Sequence, residues 1–149
     1  MRLYFDTNAI IQAVEGADIP SGRFSAVVDA AAKTGLKVVT SELSLAELLV
    51  KPLREQDFKL IVIYNNLLAG TRESQLETLP VSREILGLSA RIRNRKPKIK
   101  LPDAIHIATA EHAGCEFILT GDKRLEGAAA LGLVDPSSSD INAFIEMMS

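Results

Sequence analysis

Tryptophan is absent from this chain, cysteine occurs once and histidine twice. The lone thiol of Cys115 admits no internal disulfide, and with two histidines it is too thin a set for a zinc cluster, so it reads as a small core residue. No apolar run approaches the roughly 20 residues that span a bilayer, and the N-terminus lacks a basic stretch leading into an apolar signal segment. A soluble, cytoplasmic protein with no membrane partner is the expectation. Positive charge is not in excess either: 17 Lys and Arg against 19 Asp and Glu give a net charge of −2. That excludes a globally basic nucleic-acid binder but leaves room for a local basic patch. Two tyrosines and five phenylalanines supply few stacking platforms, so no base preference is legible.

What is present is a core. At 149 residues and 47% hydrophobic content the chain suits one domain, 1–149, and no repeat, low-complexity tract or linker divides it. Short apolar runs at 1–5, 36–40 and 116–120 read as buried parallel strands, since they are continuous rather than alternating. A short strand at 77–81, limited by Pro80, reads as an edge, and 133–134 as a last strand. Helical stretches alternate with them: from Ala9 to Gly16, 24–32 after a Ser21 cap and closed by Gly35, from Ser41 to Pro52, 57–69, from Ser82 through Ile92, 101–110, and a closing amphipathic helix at 138–148. Strand–helix–strand order points to an α/β fold with a mainly parallel, doubly wound sheet between helical layers, a three-layer α/β/α sandwich. The helix at 57–69 carries Phe58, Leu60, Ile61, Val62, Ile63, Tyr64, Leu67 and Leu68. That is more apolar surface than one sheet face hides, and it predicts a homodimer.

Four carboxylates lie where strands end or helices begin. Asp6 follows the first strand, where open α/β sheets collect ligands; it is also a good helix cap. Glu47 sits at the edge of an apolar stripe beside Leu43 and Val50, where a charge needs a partner. Ser44-x-x-Glu47 matches a capping box, but the apolar period already starts at Leu43, so the helix should begin before Ser44. Asp103 falls in the first turn of a helix opened by Pro102, where the macrodipole and free amides favour its ionised form. Asp122 repeats the Asp6 pattern after the strand at 116–120, or else caps a helix running to Leu131 and Gly132. Each has an ordinary structural explanation, but four together repel one another unless a cation neutralises them, and oxygen donors select Mg²⁺ or Mn²⁺. His106 reads as packed or as a support for the acids, and His112 as a surface residue at a helix end. Arg91, Arg93, Arg95, Lys96, Lys98 and Lys100 form a run without an acid. Such a run is usually a solvated face, yet it leads directly to Asp103, where phosphate contacts are useful. Lys123 and Arg124 have the same opportunity beside Asp122.

Phe5-Asp6-Thr7-Asn8, Ala46-Glu47-Leu48, the run from Leu101 to Ala108 and Leu119-Thr120-Gly121-Asp122 together resemble the signatures of the PIN domain family, across essentially the whole chain. The length and layout are most similar to VapC-type toxin ribonucleases of toxin–antitoxin pairs. The resemblance implies a metal-dependent endoribonuclease that hydrolyses RNA phosphodiester bonds with one or two Mg²⁺ or Mn²⁺ ions. Asp6, Glu47, Asp103 and Asp122 would be the acidic quartet, Thr7, Asn8 and Thr120 its support, and a small antitoxin protein the partner. A substrate role for Arg93, Arg95, Lys96, Lys98, Lys100 and Lys123 comes from this chain's own basic density, not from the family pattern. Two alternatives remain open. A haloacid-dehalogenase-like phosphatase also begins strand–Asp but wants a second Asp where this chain has Asn8. A non-catalytic RNA-binding or scaffold domain would keep the pocket without turnover.

Overall fold

A five-stranded, all-parallel sheet organises the chain in the computed structural model, which describes residues 1–16, 30, 32–70, 76–125, 127, 131–134 and 146–147. In chain order the elements are β1 (Arg2–Phe5), α1 (Thr7–Glu15), β2 (Lys37–Ser41), α2 (Leu43–Arg54), α3 (Phe58–Leu68), β3 (Leu76–Leu79), α4 (Arg83–Arg95), α5 (Leu101–His112), β4 (Phe117–Leu119) and β5 (Gly132–Val134). The spatial order is β3-β2-β1-β4-β5, and every neighbouring pair is parallel. The chain winds outward from β1 in both directions, as a doubly wound sheet does.

Strand alternation sorts the core into two halves. Leu3 and Phe5 face one side with Ala9 and Ile10 of α1, Leu48 of α2, and Tyr64 and Leu68 of α3. Tyr4 faces the other, with Ile85 and Ile92 of α4 and Ala104, Ile105, Ile107 and Ala108 of α5. The three-layer α/β/α expectation holds. Local signals act where the sequence placed them: Asp57 and Ser82 accept the amides of Leu60 and Ile85 as helix caps, and Gly35 and Gly114 take left-handed φ values of 71° and 70° after helical turns. Pro52 lies inside α2 without ending it, because the ladder has only two residues left to run.

Some expectations shift. Among the described residues of the helix expected from Asp122 to Leu131, a 3₁₀ turn covers Lys123–Leu125, and Gly132 opens β5; residues 126 and 128–130 lie outside the described residues. The helix expected at 24–32 lies outside the described residues except for positions 30 and 32, which are helical; Ser21 lies outside them too. The closing helix at 138–148 is likewise described only at 146 and 147, both helical. No helix among the described residues is long and apolar enough to cross a membrane.

Candidate active site

The sheet reverses its winding between β1 and β4, and the carboxyl ends of those two strands bound the crevice where open α/β sheets bind ligands. Asp6 stands at the end of β1. Its Oδ1 accepts the Ala9 amide at 2.8 Å, so the capping role is real. The same carboxyl is held above the usual carboxylate range, first by burial, with the charge of Asp103 adding to it and hydrogen bonds from Thr120 and Ala9 opposing it. Thr120 is buried at the end of β4 and also accepts the Asp122 amide at 3.1 Å. One threonine therefore ties the two strand ends together.

The start of α2 decides the role of Glu47. Ser41 Oγ accepts the Leu43 amide at 3.1 Å, the helix begins at Leu43, and the residue before it makes no side-chain cap. Ser44 is thus no cap but a buried hydroxyl, 3.2 Å from Thr40 Oγ1 and 3.1 Å from Thr7 Oγ1. The capping-box reading fails, and Glu47 turns elsewhere. Its Oε1 receives the Thr7 hydroxyl at 2.9 Å and His106 Nε2 at 2.6 Å. The His106 hydrogen bond, chiefly, holds the Glu47 carboxyl below its ordinary range against an opposing burial effect.

Asp103 occupies the first turn of α5 behind Pro102, with Lys100 in an extended conformation at the cap position. Its carboxyl is raised by burial first and by the charge of Asp122 next; Glu47 adds to this, while His106 and Arg124 oppose it. Asp122 is lowered instead, because Arg124 forks onto it: Nε lies 2.9 Å from Oδ1, and a terminal guanidinium nitrogen 2.6 Å from Oδ2. The pair is local in sequence and the guanidinium is exposed, so water and salt weaken it.

Asp6, Glu47 and Asp103 therefore share one electrostatic neighbourhood, which Asp122 enters through Asp103. Thr7 and Thr120 join it by hydrogen bonds; Asn8 is exposed and forms none with the described residues. The basic run lies along the end of α4 and the loop before α5. Arg95, Lys96, Lys98 and Lys100 are exposed, whereas Arg93 Nε donates to the Ile99 carbonyl at 3.2 Å and so also braces the loop. The side chain of Lys123 lies outside the described residues. The sequence offers His106 as a support for the acids and Arg124 as a phosphate contact, but not their partners Glu47 and Asp122, and it gives no site role to Tyr4 or Ser44. A histidine within Ala104-Ile105-His106-Ile107-Ala108, three residues after Asp103, was the one available signal; the others are set by pairings distant in sequence or by a local fork.

An all-oxygen donor set suits a hard divalent cation, and the mutual repulsion of Asp6 and Asp103 is of the kind such an ion relieves. The residues fit the group in chemistry. The side chains of Asp6, Glu47 and Asp122 accept hydrogen bonds from local donors, and among the described residues no three His, Cys, Asp or Glu side chains gather closely enough to hold a metal ion.

The PIN domain family matches residues 3–131, and the chain belongs to that family. Its fold is similar to a toxin–antitoxin complex from Klebsiella pneumoniae, with 22% identity, a TM-score of 0.65, and coverage of 90% of this chain and 97% of that one. It is also similar to VapBC2 from Rickettsia felis bound to a promoter DNA fragment (17% identity, TM-score 0.68, 90% and 98% covered). FitAcB from Neisseria gonorrhoeae is a third such structure (21% identity, TM-score 0.68, 90% and 97% covered). No curated protein shows significant similarity to the chain.

Proposed function

We propose that this PIN domain is a metal-dependent endoribonuclease and the toxin of a toxin–antitoxin pair. The observation that supports the reading best is that Asp6, Glu47 and Asp103 share one electrostatic neighbourhood at the switch point of the sheet, with Asp6 raised by burial and then by Asp103, and Asp103 raised by burial and then by Asp122 and Glu47. Asp6 and Asp103 would hold the principal Mg²⁺ or Mn²⁺, and Asp122, which Arg124 now pairs, would contribute to a second, weaker position. What such an ion supplies when bound is a more acidic water and compensation for charge on the phosphate. Glu47, anchored by His106 and Thr7, would ligate the ion or orient the attacking water. Thr7 and Thr120 hold Glu47 and Asp6 in place. Single-stranded or looped RNA is the substrate, since A-form duplex hides its bases in a deep major groove. The experiment is cleavage of a labelled RNA with Mg²⁺ or Mn²⁺ and with excess EDTA. Activity that requires the metal is the expected result; undiminished cleavage in EDTA by protein free of contaminating nuclease would sink it, and no cleavage under either condition would favour a binding or scaffold role.

The exposed lysines before α5 bind phosphates outside the metal shell. Changing Lys96, Lys98 and Lys100 together to Ala is expected to weaken RNA binding and to lower the slope of log affinity against log salt by about 0.7 for each single-strand phosphate that a lysine no longer neutralises. Metal binding should be untouched. An unchanged slope would reduce the run to a solvated face.

An antitoxin partner is proposed from the likeness to toxin–antitoxin complexes. Self-association is proposed from the face that α2 and α3 share. Tyr64 and Leu68 of α3 turn inward, but Phe58 is 71% exposed, and Val62, Val50 and Leu53 are exposed as well. Sedimentation at micromolar concentration should give twice the chain mass, and a strictly monomeric species would count against the dimer.

A further inference from the structure

His106 is 4% exposed, and both of its ring nitrogens are spoken for by side chains rather than by backbone. Nδ1 lies 2.6 Å from the Tyr4 hydroxyl and Nε2 lies 2.6 Å from Glu47 Oε1. Tyr4 is fully buried in β1, and its ring meets the imidazole edge-on, with centroids 5.8 Å apart. The proton positions follow from donor chemistry. An ionised carboxylate only accepts, so Nε2 carries the proton shared with Glu47; in the neutral ring Nδ1 then accepts the proton of the Tyr4 hydroxyl. Thr7 adds a second donor to the same Glu47 oxygen at 2.9 Å. Among the described residues no donor reaches Oε2.

We infer that Tyr4 and His106 form a buried relay that positions Glu47, pinning one carboxylate oxygen and leaving the other for the metal or the attacking water. The inference rests on the function proposed above. The Glu47 side chain is 37% exposed and lies on the outer turn of a helix, where a free glutamate samples several rotamers. The relay starts instead from β1 and α5, two rigid elements of the core, so the carboxylate inherits their order. A histidine kept only for packing would gain nothing from reaching a half-exposed acid. Hydrogen-bonded partners behind a metal ligand fix its orientation in the same way, and their loss typically lowers metal affinity or activity about 10- to 100-fold. Tyr4 and His106 are positioning residues, since neither has a place at the reacting atoms.

The test uses the full chain. In ¹⁵N-histidine NMR spectra without metal, His106 should show a protonated Nε2 and an accepting Nδ1, and Tyr4→Phe should perturb Nδ1 while the fold persists. Mn²⁺ titration should show affinity falling about 10- to 100-fold in His106→Asn, whose amide mimics only the Nδ1 side. His106→Gln, whose amide reaches the Nε2 position, should recover most of that loss. Thermal melts of the two variants, similar in volume, control for folding. Equal Mn²⁺ affinity in wild type, Asn and Gln variants would overturn the relay, as would a wild-type His106 protonated on Nδ1 alone. These readouts need no RNA. A wild type that shows the predicted tautomer and Mn²⁺ coupling but leaves RNA intact overturns the nuclease reading and keeps the relay; RNA cleavage unaffected by His106→Asn overturns the relay and keeps the nuclease. Should wild type bind no Mn²⁺, the metal reading falls and the tautomer alone decides the relay.

Discussion

Asp103→Asn is expected to abolish RNA cleavage while leaving the metal-free protein as stable as the wild type or more so. Asp103 sits in the first turn of α5 with its carboxyl raised by burial and by Asp122. A raised folded-state value means that the native chain binds the proton more tightly than the unfolded chain. The group then adds stability at pH values below its unfolded pKa, and that contribution is lost as pH rises through the raised native value. At neutral pH the charge is therefore a burden, and asparagine removes it without changing the size of the side chain. Because the site is part-exposed, screening limits the gain to less than about 1 kcal/mol, about 2–4 °C in Tm at most. A first-turn acid kept only for the helix dipole predicts the opposite sign, a loss of about 0.3–1 kcal/mol with activity unaltered. Melts in EDTA and in Mg²⁺, beside a cleavage assay, separate the two. Added Mg²⁺ should raise the melting point of the wild type more than that of the variant. An active variant that melts lower in EDTA would make Asp103 structural.

The strands and most helices were legible because their signals are local: the apolar runs of β1, β2 and β4, the Asp57 and Ser82 caps, and the glycines at 35 and 114 that end helical turns. Asp6, Asp103 and Asp122 were legible as positions at element ends, and Glu47 as a charge beside an apolar helix stripe one turn into α2. Their present partners were not. That Glu47 is no part of a capping box was legible, since the apolar period starts at Leu43 and the helix does begin there, with Ser41 accepting its amide; that its partner is His106, 59 residues on, was not. The Tyr4–His106 pairing joins residues 102 positions apart through the register of α5 against β1. Arg124 reads from sequence as a phosphate contact, and its fork onto Asp122 was not legible for a different reason: it accompanies the 3₁₀ turn Lys123–Leu125, which stands where the sequence suggests a regular helix. Chain order thus conveyed where the charges lie, and tertiary packing decided what holds them.

The two readings of Asp6 give the most direct contrast, because the structure realises the bland one. Asp6 caps α1 through Oδ1, so losing activity in a variant would prove little if the helix end were lost with it. Two substitutions separate the roles. Asp6→Asn removes the charge but keeps an oxygen that can accept the Ala9 amide, and asparagine is as good a cap as aspartate. Asp6→Ala removes both. Since both lack the charge, the difference in stability between them isolates the cap, about 1 kcal/mol or about 2–4 °C in Tm for a chain of this size. Removing the charge by itself should not destabilise the metal-free protein, because burial already holds the Asp6 carboxyl above its ordinary range. Asp6→Asn is therefore expected to melt at or above the wild type in EDTA. Cleavage should fall by a factor of about 100 to 1,000 or more in both variants, the loss typical when one preorganised charge-stabilising group is removed. The Mg²⁺-dependent rise in melting temperature should shrink in both to the same extent. If Asp6→Asn instead cleaves RNA at the wild-type rate and only Asp6→Ala is impaired, Asp6 is a helix cap and the metal must be sought elsewhere on the sheet.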